Sequence, residues 1–136
     1  MIINRNNKKL AEGKFLGKFS LGLIFKRKLK HEAYILESLT ESVWSSTLHT
    51  FFVFQNLDII WLNKDYKIVD MLEAAPKFKL SLAPKAKAKY VIEATNGFIK
   101  KHRLKNGQKL KISELKQNSS RRILFKYTNE NTKKNN

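Results

Sequence analysis

The sequence has no cysteine, two prolines, five glycines, and 11 acidic residues set against 28 basic ones. Without cysteine there are no disulfides, no thiol nucleophile and no cysteine-ligated zinc. The shortage of acid leaves a formal net charge of +17, which argues against a partner of the same sign. No hydrophobic run is long enough to span a bilayer, because the most apolar stretch, Leu48 to Leu62, carries His49, Gln55, Asn56 and Asp58. The basic start MIINRNNKKL is followed by Lys14, Gly17 and Lys18, which break any secretory apolar segment. A soluble, cytoplasmic protein is the expectation, and the triplet Asn118-Ser119-Ser120 matters as a glycosylation acceptor only in a secreted chain. Gly13, Gly17 and Gly22 are spaced too widely for a dinucleotide fingerprint and lack the Lys-Ser or Lys-Thr of a phosphate loop.

What is present suits one domain. A chain of 136 residues with 42% hydrophobic residues buries roughly two thirds of its unfolded surface, enough for a core. The expected organisation is a basic N-terminal extension over 1–10, a β-rich domain over 11–115 and a basic polar tail over 116–136. Leu48 to Phe54 and Asp58 to Leu62 read as central strands buried on both faces. Asn63-Lys64-Asp65 supplies turn chemistry before a third run, Tyr66 to Leu72, so the last two runs form a hairpin.

After Pro76 the pattern turns to alternation. Phe78, Leu80 and Leu82 share one face of an extended chain, with Lys77, Lys79 and Ser81 on the other. Lys85, Lys87 and Lys89 alternate with Ala86, Ala88 and Tyr90, and Lys109 and Lys111 with Leu110 and Ile112. The prolines belong at edges or turns. Phe98 to Leu104 reads as two turns of helix closed by Asn106-Gly107, and a short helix is expected within Phe15 to Phe25. Ile123, Leu124, Phe125 and Tyr127 add a terminal strand or helix, with a frayed end from Asn129.

The stretch LHTFFVFQNLDIIWLNKDYKIVD resembles the prokaryotic family called domain of unknown function 192. The matching residues are His49, Thr50, Phe51, Phe52, Phe54, Asp58, Ile59, Ile60, Leu62, Asp65 and Val69. LGLIFK (Leu21 to Lys26) is similar to the family's glycine-containing N-terminal segment, and AKYVIEATNG (Ala88 to Gly97) to its strand ending in glycine, before KNGQKLKI. The likeness covers about residues 11 to 112. Gln55-Asn56 stands where a proline-containing link is expected, Asn63 where Asp is common, and Lys77-Phe78 follows Pro76 where a proline-tryptophan pair is frequent. The resemblance implies a mainly β fold, a compact sandwich or partly closed barrel of about seven strands with one or two short helices. It implies no activity.

Two chemistries compete. Lysine rows on a sheet repel one another unless a polyanion neutralises them, and nucleic acid does so by releasing counterions. The candidate polyanion-binding residues are Lys77, Lys79, Lys85, Lys87, Lys89, Lys100, Lys101, Arg103, Lys109 and Lys111, with Arg121 and Arg122 extending the patch. Lysine outnumbers arginine, which favours loose phosphate contact over base-specific readout. Trp44, Phe78 and Tyr90 are placed to be partly exposed beside these bases, whereas Phe51, Phe52, Phe54 and Trp61 lie in apolar runs and read as core. The plain alternative is that lysines guard strand edges or reflect a lysine- and asparagine-rich composition.

The second chemistry is a hydrolase-like pocket around His49 and Asp58, with Ser45, Ser46, Thr47 or Thr50 as nucleophile. Proximity in sequence supplies no triad geometry, and such polar residues commonly satisfy buried backbone groups. His31, His49 and His102 show no metal-ligand spacing, so no metal or cofactor is expected. The reading taken is a small β-rich binding module for nucleic acid or another polyanion. A pocket enzyme and a structural or protein-interaction subunit are the alternatives, and the oligomeric state is left open.

Overall fold

Strands take up most of the described residues. The computed structural model describes residues 4–5, 8–9, 11–17, 31–48, 55–79, 81–117 and 120–128. Among them the strands are β1 (Asn4–Arg5), β2 (Lys8–Lys9), β3 (Glu12–Gly17), β4 (Ala33–Ser42), β5 (Leu57–Leu62), β6 (Ile68–Ala75), β7 (Ala88–Thr95), β8 (Lys109–Gln117) and β9 (Ser120–Thr128). A 3-10 turn covers Trp44–Ser46, and the one-turn helix α1 covers Phe98–Lys101. The strand order is β2-β1-β9-β3-β4-β7-β5-β6, with β8 paired to β9. β3 runs parallel to β4 and β1 parallel to β9; the other ladders are antiparallel. The sheet is open, but a single bridge, Lys67 to Lys109, brings the start of β8 against the start of β6. The mainly β expectation holds.

β5 is the centre. All six of its residues are buried, in keeping with a run that is apolar except for Asp58, and it is flanked by β6 and β7. Ile60, Leu62, Ile92 and Ala94 pack with Phe98, Ile99 and Leu104 in one apolar cluster, Ile59, Trp61, Ala88 and Val91 form a second, and Tyr34 and Leu57 a small third. The expected β5–β6 hairpin forms. Asn63 Oδ1 accepts the amides of Asp65 and Lys67 at 3.0 and 2.9 Å, the local bonding that favours Asn in turns. Tyr66, at φ 60°, then stacks on Tyr90 with ring centroids 4.7 Å apart.

Several expected elements take another form. The alternation over 77–82 does not make a strand: Lys77 and Phe78 form a turn, and Leu82 only bridges to Leu48. Phe78 sits at φ 57°, outside extended geometry, two residues after Pro76. Lys85 and Lys87 lie before the strand, because the Lys85 amide goes to Asp70 Oδ2 at 2.9 Å and β7 begins only at Ala88. The helix at Phe98 stops at Lys101, since Arg103 takes the left-handed conformation at φ 49° and turns Leu104 inward. Gly107, expected to end that helix, instead donates its amide to Ile68 O at 2.8 Å. Residues 15–17, expected to open a helix, belong to β3, which pairs with β4 and β9. The terminal strand forms as β9. The strand expected from Leu48 to Phe54 lies outside the described residues from His49 onward, as do the rest of the N-terminal helix and the frayed end.

One buried carboxylate joins these pieces. In the β5–β6 ladder Leu57 pairs with Ala75 and Ile59 with Leu72, so Glu73 and Ala74 bulge opposite Asp58. The bulge leaves the Ala74 amide without a ladder partner, at φ 46°, and Asp58 Oδ1 accepts it at 2.9 Å. Asp58 Oδ2 accepts the Ile99 amide at 2.8 Å, one of the free donors in the first turn of α1, which Gly97 cannot cap with a side chain. Asp58→Ala should therefore strand the buried Ile99 amide and the partly buried Ala74 amide and lower unfolding free energy by about 2–4 kcal/mol. Asp58→Asn should also destabilise, because its amide nitrogen meets a donor; urea denaturation followed by circular dichroism measures both.

Candidate functional site

The segment between β6 and β7 carries four of the candidate lysines. Its backbone is tied at two points: Leu82 exchanges both hydrogen bonds with Leu48, at 2.7 and 2.9 Å, and the Lys85 amide is held by Asp70. Lys77, Lys79, Lys85 and Lys87 are all exposed on this tied segment, and Phe78 is 56% exposed between the first two. The remaining candidates divide. Lys89 meets Glu37 at 3.2 Å and donates to Ser38 O and Leu39 O at 2.6 and 3.2 Å, so it is an internal strut. Lys100 pairs with Glu73 at 3.4 Å, and Lys101 pairs with Glu32. Arg103, Lys109 and Lys111 are exposed. The bridge from Lys109 also sets Lys67 beside it, a cation in a stretch where acids outnumber bases and therefore missing from the sequence reading. Arg121 and Arg122 lie on β9.

A second feature opens beside the 3-10 turn. Ser46 Oγ donates to Ser42 O at 2.6 Å, Thr47 Oγ1 to Val43 O at 2.8 Å and Ser45 Oγ to Thr40 O at 2.6 Å. Such short-range bonds compete with the β ladder and curl the chain as β4 ends. The turn is anchored from below, where the buried Trp61 indole donates to Ser46 O at 2.9 Å. Trp44 is thereby left 90% exposed at the rim of a cavity of about 360 Å³, floored by Leu36, Leu48 and Val91 with Glu37 in its wall. The exposure of Trp44 matches the sequence reading, whereas no local pattern marks the cavity.

The hydroxyls of Ser45, Ser46 and Thr47, named as nucleophiles, donate to main-chain carbonyls, and Asp58, 1% exposed, has both oxygens engaged by amides. His49 and Thr50 lie outside the described residues. No group of three or more metal-ligating side chains occurs among the described residues. His31 lies edge-on to Tyr34, ring centroids 5.7 Å apart.

A family model, DUF192, described as uncharacterized ACR, matches residues 17–112. The chain belongs to that family. It is 32% identical over 114 residues to a UPF0127 protein of Thermococcus kodakarensis, covering 79% of this chain and 69% of that protein. It is 30% identical over 117 residues to a UPF0127 protein of Pyrococcus horikoshii, covering 82% and 97%. Its fold is similar to a crystal structure of a protein of unknown function from Novosphingobium aromaticivorans, with TM-score 0.62, 19% identity and 70% of each chain covered. It is similar also to a putative transcription regulator from Sinorhizobium meliloti, with TM-score 0.63, 16% identity, and 70% and 76% covered. The DUF192 match lies within the span where the resemblance was noted. No helix among the described residues is long and apolar enough to cross a membrane.

His102 offers a measurable electrostatic consequence. Its ring packs on Phe98 at 4.4 Å, and its Nε2 is buried without a hydrogen-bond partner. Burial, then the neighbouring Lys101 charge, pushes its pKa below the ordinary 6.5, with Glu32 opposing. The unfolded chain therefore binds this proton more readily, and the stability contribution is full above about pH 6.5 and lost as pH falls. Thermal melts should show a lower Tm at pH 5.5 than at pH 8, and His102→Gln should shrink that difference.

Proposed function

We propose that this DUF192 protein is a binding module for an anionic partner, most readily single-stranded nucleic acid, contacted through the segment between β6 and β7. The observation that supports the reading is the exposure of Lys77, Lys79, Lys85 and Lys87 on a backbone tied to Leu48 and Asp70. Tied backbone keeps like charges together that would otherwise spread apart, so the repulsion is relieved only by salt or by a polyanion. None of the ion pairs among the described residues takes Lys77, Lys85 or Lys87. Lys67, Lys109 and Lys111 add exposed cations from the start of β6 onto β8. Lysine's compact charge suits phosphate without base choice, and exposed Phe78 adds a ring on which a base can stack.

Lys89, Lys100 and Lys101 contribute less, because each already faces a carboxylate. The charge-reversal test accordingly uses Lys77, Lys85 and Lys87. Fluorescence anisotropy with a labelled oligonucleotide at several salt concentrations should show weaker binding by the triple Lys→Glu variant. Its log-log salt slope should be shallower by about 2, from roughly 0.7 per neutralised phosphate on a single strand. Absence of binding by the unmodified protein at low salt overturns the proposal.

A further inference from the structure

We propose that the cavity beside Trp44 is a nucleobase subsite, in which one base of a bound strand slides between the Trp44 indole and the floor of Leu36, Leu48 and Val91. The inference rests on the polyanion reading above and deepens it. Three observations carry it. First, the volume, about 360 Å³, lies at the small end of the roughly 300–1,000 Å³ usual for ligand pockets, suited to a single ring system.

Second, Leu36, Leu48 and Val91 offer an apolar face among polar lining residues. Ser45 and Ser46 have committed their donors to Thr40 O and Ser42 O, so the site offers little to a ligand that needs many hydrogen bonds, such as a sugar. The indole itself is 90% exposed although the turn carrying it is held by four hydrogen bonds from Ser45, Ser46, Thr47 and Trp61 side chains. A large aromatic surface kept in water on a fixed backbone is ready to stack with little loss of entropy. Glu37, in the cavity wall, is neutralised by Lys89 at 3.2 Å and does not repel an incoming phosphate chain.

Third, the turn that carries Trp44 leaves the same ladder end as the segment that carries Lys85 and Lys87. Ser42 pairs with Ala88 at the last rung of the β4–β7 ladder. Trp44 follows Ser42 and Lys87 precedes Ala88, so aromatic and cation leave the same end of the same antiparallel pair. A base in the cavity has its phosphates beside Lys87 and Lys85.

The chain has two tryptophans, Trp44 at the surface and Trp61 at 1% exposure, so a ligand-dependent emission change reports on Trp44. The probes are a twelve-nucleotide oligothymidylate and an abasic strand with the same number of phosphates. The oligothymidylate should quench the emission, and Trp44→Ala should weaken its binding about 10-fold, within the range of one stacked base. Trp44→Phe should recover part of that loss, while the abasic strand binds all three proteins equally and leaves the emission unchanged. Equal binding of both strands with no quenching overturns the base subsite and leaves the cationic surface standing. Failure of both strands to bind at low salt overturns the polyanion reading instead. Quenching by a free monosaccharide but not by the oligothymidylate reassigns the cavity and overturns the inference.

Discussion

The Asp58 carboxylate is the interaction on which the arrangement depends. Its two oxygens bond two amides that belong to different elements, Ala74 in the β6 bulge and Ile99 in α1. Without an acceptor at that point, the helix start would bury an unsatisfied donor beside the core and the bulge would leave a partly buried one. β6 regains its pairing with β5 just after the bulge, at Ala75, and the exposed segment of Lys77 and Phe78 begins beyond it. A side chain that looks catalytic by composition is instead the joint that sets the outer surface.

The same device recurs around the molecule. Asp70 holds the Lys85 amide, and Glu41 Oε2 accepts the Lys64 amide at 2.8 Å. Ser42, Ser45 and Ser46 shape the turn under Trp44 through main-chain bonds. Polar side chains secure loops that the strands leave without ladder partners, and the residues between those ties are exposed. Scaffold and surface thus use different residues a few positions apart in the chain.

Much of the scaffold was legible. The near-continuous apolar run of β5, the Asn63 turn and the lysine alternation of β8 each carry a local signal that tertiary packing does not override. Alternation misled at 77–82, because period-two spacing cannot register that Phe78 takes positive φ just after Pro76. The helix end was misplaced for a similar reason: Arg103, not glycine, adopts the left-handed turn. Asp58 stood out both as a pocket residue and as a polar residue of the kind that satisfies backbone groups, but the sequence could not name its partners, which are amides 16 and 41 residues away. The Trp44 cavity was invisible, being made by β4, the 3-10 turn and β7 together. Lys67 joined the cationic surface only through a bridge to a residue far along the chain.

A lysine-rich composition could leave cations scattered without meaning, and the placement of the acids bears on that point. Asp58, Asp70 and Glu41 are engaged by backbone amides, and Glu32, Glu37 and Glu73 by Lys101, Lys89 and Lys100. Most of the described carboxylates are therefore consumed by the architecture or by cations other than Lys77, Lys85 or Lys87. The positive surface follows from that commitment as much as from the number of lysines. Composition alone would account for such a field anywhere on the molecule. It does not account for a bare indole on a braced turn at the end of the ladder that delivers Lys87, and the proposed binding surface rests on that coincidence.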